Sequence, residues 1–284
     1  MSQSDLKGRI VIITGAGGGM GSAMTLGVAS RGAQVTAVDA DPASVDAVAK
    51  AVAEKVGPGA VLPLVADVTR LEECRNIVEQ TRLQFGGVHA LVNNAGVGMQ
   101  SIRKDYMNEP VPFWEADLDR WQRLMDVNWK GPFILASLVA PHLIDQGWGR
   151  IVNVTTSLDT MHRRAYTPYG PSKAALEAAS SCWAKDLEET GVTVNVLVPG
   201  GPTNTGFIPS DAPFDRARLV QPEVMVAPIC WLISDGSDGV TDCRLVGRYW
   251  DASLPPSEAA KASKAPAAWP DLGSQASWPG AKEH

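Results

Sequence analysis

RIVIITGAGGGMG, residues 9–21, decides the fold. Its first half, RIVIIT, is a short β-branched apolar run, the pattern of a strand buried on both faces of a parallel sheet. Glycines follow at once, and SAMTLGVASRG after them has the small and apolar residues of a packed helix closed by Gly32. Strand, glycine turn and helix N-terminus make a cradle for phosphate. Glycine lets the backbone approach a pyrophosphate, and the free amides and positive dipole end of the helix attract its charge. The GxGxxG spacing fails here, because from Gly15 and Gly17 the third glycine would fall on Met20; TGxxxGxG, with Gly15, Gly19 and Gly21, fits instead.

Working outward, the run QVTAVD ends at Asp39, where a carboxylate accepts hydrogen bonds from the ribose hydroxyls of an adenosine. That favours NAD over NADP. A 2′-phosphate beside the carboxylate would be repelled by about 1 to 4 kcal/mol, depending on the effective dielectric, and neither 16–18 nor 40–41 offers an arginine to rescue it. The competing reading of Asp39 is a polar strand end or the cap of a helix starting near Pro42. Further apolar runs, AVLPLVAD, HALVNN, RIVNVTT and VTVNVLV, alternate with helix-like stretches such as RLEECRNIVEQTRLQFGG. This alternation predicts an α/β fold of Rossmann type: a doubly wound parallel sheet with right-handed crossovers and helices on both faces. Ligands of such sheets bind outside the carboxyl ends of the strands.

The chemistry is carried by Tyr169 and Lys173, at the start of the helix-prone run YGPSKAALEAASSCWAKDLEETG. Four residues apart, they share a helix face. An ammonium beside a phenol is expected to stabilise phenolate and lower its pKa, poising Tyr169 to exchange a proton with an alcohol or ketone oxygen. Alone, the pair is equally a feature of any solvated helix. With the glycine turn it points to nicotinamide-dependent redox chemistry.

In combination these motifs resemble the short-chain dehydrogenase/reductase (SDR) family, from Lys7 to about Trp250. The match adds Asp67-Val68, NNAG at 93–96, Asn128 in VNWKGPF, RIVNVTTS and VTVNVLVPGG. The resemblance implies that Asp67 and Val68 flank the adenine and that Asn94, Ala95 and Gly96 border the nucleotide, with Met20 inside the glycine turn. It implies that Asn128 shapes a helix bulge and holds a water of a proton relay through Lys173. The family's catalytic serine usually stands 13 positions before the tyrosine, which selects Thr156; Ser157 requires a one-residue gap and stays open. Where the family reads PGxxxT, this chain reads PGGPTNT after Pro199 and Gly200, so either Thr203 or Thr205 could meet the nicotinamide amide. The implied reaction is hydride transfer between a nicotinamide cofactor and a secondary alcohol or ketone. Rival readings are an NADP-linked carbonyl reductase and a nucleotide-sensing Rossmann protein without turnover.

The 284 residues, 45% hydrophobic, suffice for one large α/β core, expected over residues 1–253 as a single NAD(P)-binding domain. A net charge of −6 without a basic block argues against nucleic acid or an anionic membrane as partner. No stretch approaches the ~20 apolar residues of a membrane span, and MSQSDLKGR has no apolar h-region, so a cytoplasmic enzyme is expected. Cys74, Cys182, Cys230 and Cys243 form no CxxC and the four histidines have no metal-ligand spacing, so no metal is expected. His162 follows Thr156 as either a substrate contact or a solvated loop residue. The long segment between Gly96 and Trp121 is either a pocket wall or a surface excursion with Phe113 and Trp114 packed on the body. Arg103, Lys104, Arg163 and Arg164 are candidates for a substrate carboxylate, and 204–222 for a lid. Residues 254–284, rich in Pro and Ala, are expected to run extended or disordered, or to reach a neighbouring subunit through Trp269 and Trp278. Family members are commonly dimers or tetramers, which implies a homodimer or homotetramer.

Overall fold

Every residue of the first strand is buried, which fixes its place in the middle of the sheet. The computed structural model describes residues 5–209, 212 and 214–272. The strands are β1 (Ile10–Thr14), β2 (Gln34–Asp39), β3 (Val61–Val65), β4 (Ala90–Asn93), β5 (Gly149–Val154), β6 (Val192–Val198), β7 (Cys243–Val246) and β8 (Lys264–Pro266). Their order is β3-β2-β1-β4-β5-β6-β7-β8, all parallel except β8, which runs antiparallel to β7. The chain leaves β1 first toward β2 and β3, then returns to its other side with β4. This reversal opens a crevice at the carboxyl ends of β1 and β4.

The helices follow in chain order as α1 (Gly19–Ala29), α2 (Pro42–Val56), α3 (Leu71–Phe85), α4 (Leu118–Met125), α5 (Gly131–Asp145), α6 (Leu158–Met161), α7 (Tyr169–Asp186), α8 (Val226–Leu232) and α9 (Pro256–Ser263). Because side chains alternate along a strand, β1 feeds two cores at once. Val11 and Ile13 pack with Met24 and Val28 of α1, Val45 and Val48 of α2 and Ile229 of α8. Ile12, between them, packs on the other face with Ile77 of α3 and Leu135 and Val139 of α5. The same double burial leaves β1 and β6 buried along their whole length and explains the near-continuous apolar run of β1.

Local signals set the helix ends. Asp41, with Pro42 after it, caps α2 by accepting from the Ser44 amide at 3.2 Å, and Gly86 closes α3 in the left-handed region. The cap is therefore Asp41, which leaves the Asp39 carboxylate for another role.

The C-terminal segment departs from the extended or disordered tail that its composition suggests. Residues 256–263 form α9 and 264–266 add the eighth strand to the sheet, with Ala259, Ala260 and Ala267 buried. Alanine and serine supply helix propensity without bulk, so a small-residue helix fits against the sheet edge where periodicity gives no signal. Trp278 lies outside the described residues. Truncation after residue 253 should expose the β7 edge and lower the thermal midpoint by about 5 °C or more; an unchanged midpoint in a melting scan would contradict the packing of this segment.

Candidate active site

β1 ends at the buried Thr14, whose hydroxyl joins it to β4. Thr14 Oγ1 accepts from the amides of Asn94 (3.1 Å) and Ala95 (3.0 Å), and Asn94 Nδ2 donates back to the carbonyls of Thr14 and Gly15, each at 3.0 Å. Gly15 follows at φ +62°. A Cβ at Gly21 would overlap the Gly15 carbonyl oxygen, and one at Gly19 would come within 2.9 Å of Thr205 Cγ2. The turn is thus glycine because the backbone itself fills the space. It opens onto a cleft of about 410 Å³ also lined by Met20, Asp39, Asp67, Val68, Asn94, Ala95 and Gly96.

Asp39 sits at the rim of this cleft. Its Oδ2 accepts from the Gly17 amide at 2.9 Å and its Oδ1 from the Asp41 amide at 3.1 Å. Asp67 accepts from the Thr69 amide at 3.0 Å and pairs with Arg123 at 2.9 Å. Burial draws the Asp67 pKa upward, but the Thr69 amide and Arg123 outweigh it and hold the carboxyl below its usual value.

Tyr169 opens α7, and Lys173 lies one turn on, buried. Lys173 Nζ donates to the Val154 carbonyl at 2.9 Å, and burial alone depresses its pKa to about 8. For Tyr169, burial pushes the phenol up to about 12, against the pull of a hydrogen bond with the Thr156 side chain. This reverses the depression expected from Lys173. The amine is turned to a backbone carbonyl, and the low-dielectric surroundings decide the sign.

The two hydroxyls before α6 have separate partners. Ser157 caps α6, accepting from the Thr160 amide at 3.3 Å and sharing a 2.9 Å hydrogen bond with Thr160 Oγ1. Thr156 is the hydroxyl bonded to Tyr169. Asn128 lies in a π-helical turn, Asp126–Lys130, between α4 and α5. Its Oδ1 accepts from the Val97 amide at 2.8 Å, and its Nδ2 donates to the Val97 carbonyl at 2.9 Å and to Ser172 Oγ at 3.1 Å. Ser172 Oγ in turn donates to the Tyr169 carbonyl at 2.7 Å. The bulge implied by the resemblance is present, and it anchors α7 through Ser172, a residue the sequence reading passed over.

A second cavity of about 320 Å³ adjoins the first across Met20, Gln100, Thr205 and Phe207. Thr156, Ser157, Tyr169, Pro199 and Thr203 line it, while Thr205 lines both cavities. Thr203 donates its hydroxyl to the Gly201 carbonyl at 3.1 Å, and Gly200 holds φ +96° against Val246. The 97–120 segment supplies Met99, Tyr106, Met107 and Pro110 to the wall. Phe113 and Trp114 do not pack on the body: they are 68% and 72% exposed. Arg103 is held by Asp105 and Glu109. Arg103, Lys104 and His162 do not line the cavity; Arg163 and Arg164 do.

Beneath Thr156 runs a buried network that sequence patterns did not reveal. Arg244 of β7 donates to the Thr156 carbonyl at 3.0 Å and pairs with the fully buried Glu177 of α7 at 3.2 Å. Thr155 Oγ1 donates to Glu177 at 3.0 Å. Burial raises the Glu177 pKa, opposed by Arg244, Thr155 and the Ala268 amide. Tyr169, Lys173 and Glu177 fall at i, i+4 and i+8, so one face of α7 carries all three. The signal was the spacing itself, one turn beyond Lys173.

The family model for short chain dehydrogenase matches residues 9–211. The chain belongs to the short-chain dehydrogenase/reductase family. With it, the chain falls among the NAD(P)-dependent oxidoreductases. It is 33% identical over 245 residues to a 3-oxoacyl-[acyl-carrier-protein] reductase of Thermotoga maritima, covering 83% of this chain and 94% of that protein. Among solved structures, a 3-ketoacyl-(acyl-carrier-protein) reductase of Brucella melitensis complexed with NADH superposes with TM-score 0.72 at 26% identity, covering 83% of this chain and 95% of that one. A putative NAD(P)-dependent gluconate 5-dehydrogenase of Beutenbergia cavernae with bound NADP gives TM-score 0.72 at 31% identity over 83% and 93%.

Two outcomes follow from the buried charges. Arg244→Met strands the Glu177 carboxylate and should cost about 3–5 kcal/mol in denaturant unfolding, largely restored in Glu177→Gln/Arg244→Met; a loss under about 1 kcal/mol would contradict the network. Lys173, depressed from 10.5 to about 8, contributes stability present in full above pH 10.5 and lost as pH falls through 8. The thermal midpoint of the protein relative to Lys173→Met should therefore climb between those values, and a flat difference would refute the assignment.

Proposed function

We propose that the protein transfers a hydride between a nicotinamide cofactor, NAD in preference to NADP, and a secondary alcohol or ketone, with Tyr169 as general acid and base. One observation carries this reading: Tyr169 and Thr156, whose side chains interact, line the cavity that adjoins the glycine-lined cleft.

The cleft fits a dinucleotide. Gly15, Gly19 and Gly21 leave backbone amides free for a pyrophosphate at the N-terminus of α1, a helix without acidic residues in its first turn. Asp39 fits ribose hydroxyls and repels a 2′-phosphate. Asp67 and Val68 border the adenine end, while Asn94, Ala95 and Gly96 form the floor toward Lys173; a Cβ at Gly96 would stand 3.4 Å from Lys173 Nζ. Pro199, Gly200 and above all Thr205, placed against Gly19, border the nicotinamide end. The bound cofactor supplies or accepts the hydride.

In reduction, Thr156 orients the carbonyl oxygen and Tyr169 gives it a proton. The raised phenol pKa keeps that proton on Tyr169 at neutral pH, which suits the donor role. Lys173 would hold the cofactor's ribose, and the proton that Tyr169 gives up is replaced from solvent. Ser157 secures the loop as the cap of α6, and Asn128 fixes the start of α7 through Ser172. Oxidation reverses the proton path. Trp129 of the π-helical turn, Phe133 of α5 and Trp183 of α7 cluster with ring centroids 6.3 to 6.4 Å apart, and Phe133 is half exposed. Such a cluster suits a second copy of the chain, as in a homodimer or homotetramer.

Tyr169→Phe should leave cofactor binding nearly intact and lower turnover of ketones or secondary alcohols by about 10²–10⁴-fold. Nicotinamide absorbance with both cofactors measures it. Full activity in this variant removes the acid-base assignment, and tighter binding of NADP than of NAD removes the role of Asp39. A sensor without turnover would consume no NADH in either form.

A further inference from the structure

We infer that the substrate carries an oxyanion, a carboxylate or a phosphate, joined through an apolar body to the reacting carbon, and that Arg163 and Arg164 receive it. The inference rests on the reading of Tyr169 as the acid-base group. The chain has a net charge of −6, yet among the described residues no aspartate or glutamate lines the cavity in front of Tyr169, and the charged lining residues there are these two arginines. Three other arginines near the site are neutralised: Arg123 by Asp67, Arg103 by Asp105 and Glu109, Arg244 by Glu177. Arg163 and Arg164 make no ion pair among the described residues, and their side chains donate no hydrogen bond there.

Arg163 is nevertheless ordered. Its guanidinium lies over the Tyr166 ring, 4.8 Å from the centroid, and burial raises the pKa of the neighbouring Tyr106 hydroxyl against the opposing charge of Arg163. Packing a guanidinium on an aromatic ring fixes it without using its N–H donors, which stay available for a planar anion. Tyr166 stands between that cation and the reacting centre, with its ring 6.5 Å from Tyr169 and 6.0 Å from Tyr106, both edge-on. The guanidinium, the Tyr166 ring and the Tyr169 ring thus follow one another at spans of 4.8 and 6.5 Å, a separation on the scale of a chain of several carbons. Met99, Met107, Phe207 and Phe214 offer the apolar wall along it.

The test compares three ketones on one skeleton: 6-oxoheptanoate, its methyl ester, and 5-oxohexyl phosphate. Each is titrated by calorimetry into the protein saturated with NAD⁺, which cannot reduce them. At least one anion should bind about tenfold or more tightly than the ester, and that ratio should fall to near one in Arg163→Ala/Arg164→Ala while ester binding holds. The tighter of the two anions names the source of the charge. An ester within twofold of both anions, a preference that survives the double variant, or no detectable binding of either anion overturns the inference. Turnover is scored separately with NADH and NADPH. If no ketone is reduced with either, the proposed redox function fails, while the binding ratio still decides the role of the arginines.

Discussion

The close approach of the chain to itself between Gly15 and Gly21 is the constraint on which the site depends. The Gly15 carbonyl occupies the space that a side chain at Gly21 would need, so α1 can start only where the turn brings it. The clasp between Thr14 and Asn94 then fixes that turn to β4, on the far side of the switch point. Once β1, β4 and the start of α1 are locked together, the floor of the cleft is set. Gly96 follows three residues after β4 and meets Lys173 and Asn128, which ties the nucleotide half to the catalytic half.

The second half is organised by α7. Ser172 and Asn128 hold its first turn, Lys173 reaches β5 through the Val154 carbonyl, and Glu177 reaches β7 through Arg244. Thr156 is gripped from two sides, by Tyr169 at its hydroxyl and by Arg244 at its carbonyl. Tyr169 and Thr156 are thereby held by one helix and two strands. Precision of this kind is what acid-base transfer demands, since a misplacement of an ångström is costly.

Much of this was legible in the residues because the constraints are local. Glycine spacing reports backbone contact, β-branched runs report double burial, and a tyrosine and lysine four apart report a shared helix face. Asp39 and Asp41 could not be separated by sequence, since both are acidic residues before Pro42; only the geometry shows Asp41 capping and Asp39 at the cleft. The sign of the Tyr169 shift was beyond reach too, because spacing says nothing of how dry the site is. Arg244 and Glu177 lie 67 positions apart, and pairing at that distance leaves no periodic trace. α9 and β8 were hidden by a composition of small residues that reads the same whether it packs or not.

The central claim is that the Thr14 hydroxyl, by holding the amides of Asn94 and Ala95, keeps the nucleotide seat in shape. Equilibrium binding of NADH to Thr14→Val, followed by nicotinamide fluorescence, tests it most directly. Two part-buried amides lose a hydrogen bond in that variant, at about 1 kcal/mol each, with no change to any group that would touch the ligand. The account predicts affinity at least tenfold weaker in a chain that still folds; affinity equal to that of the unaltered protein would contradict it.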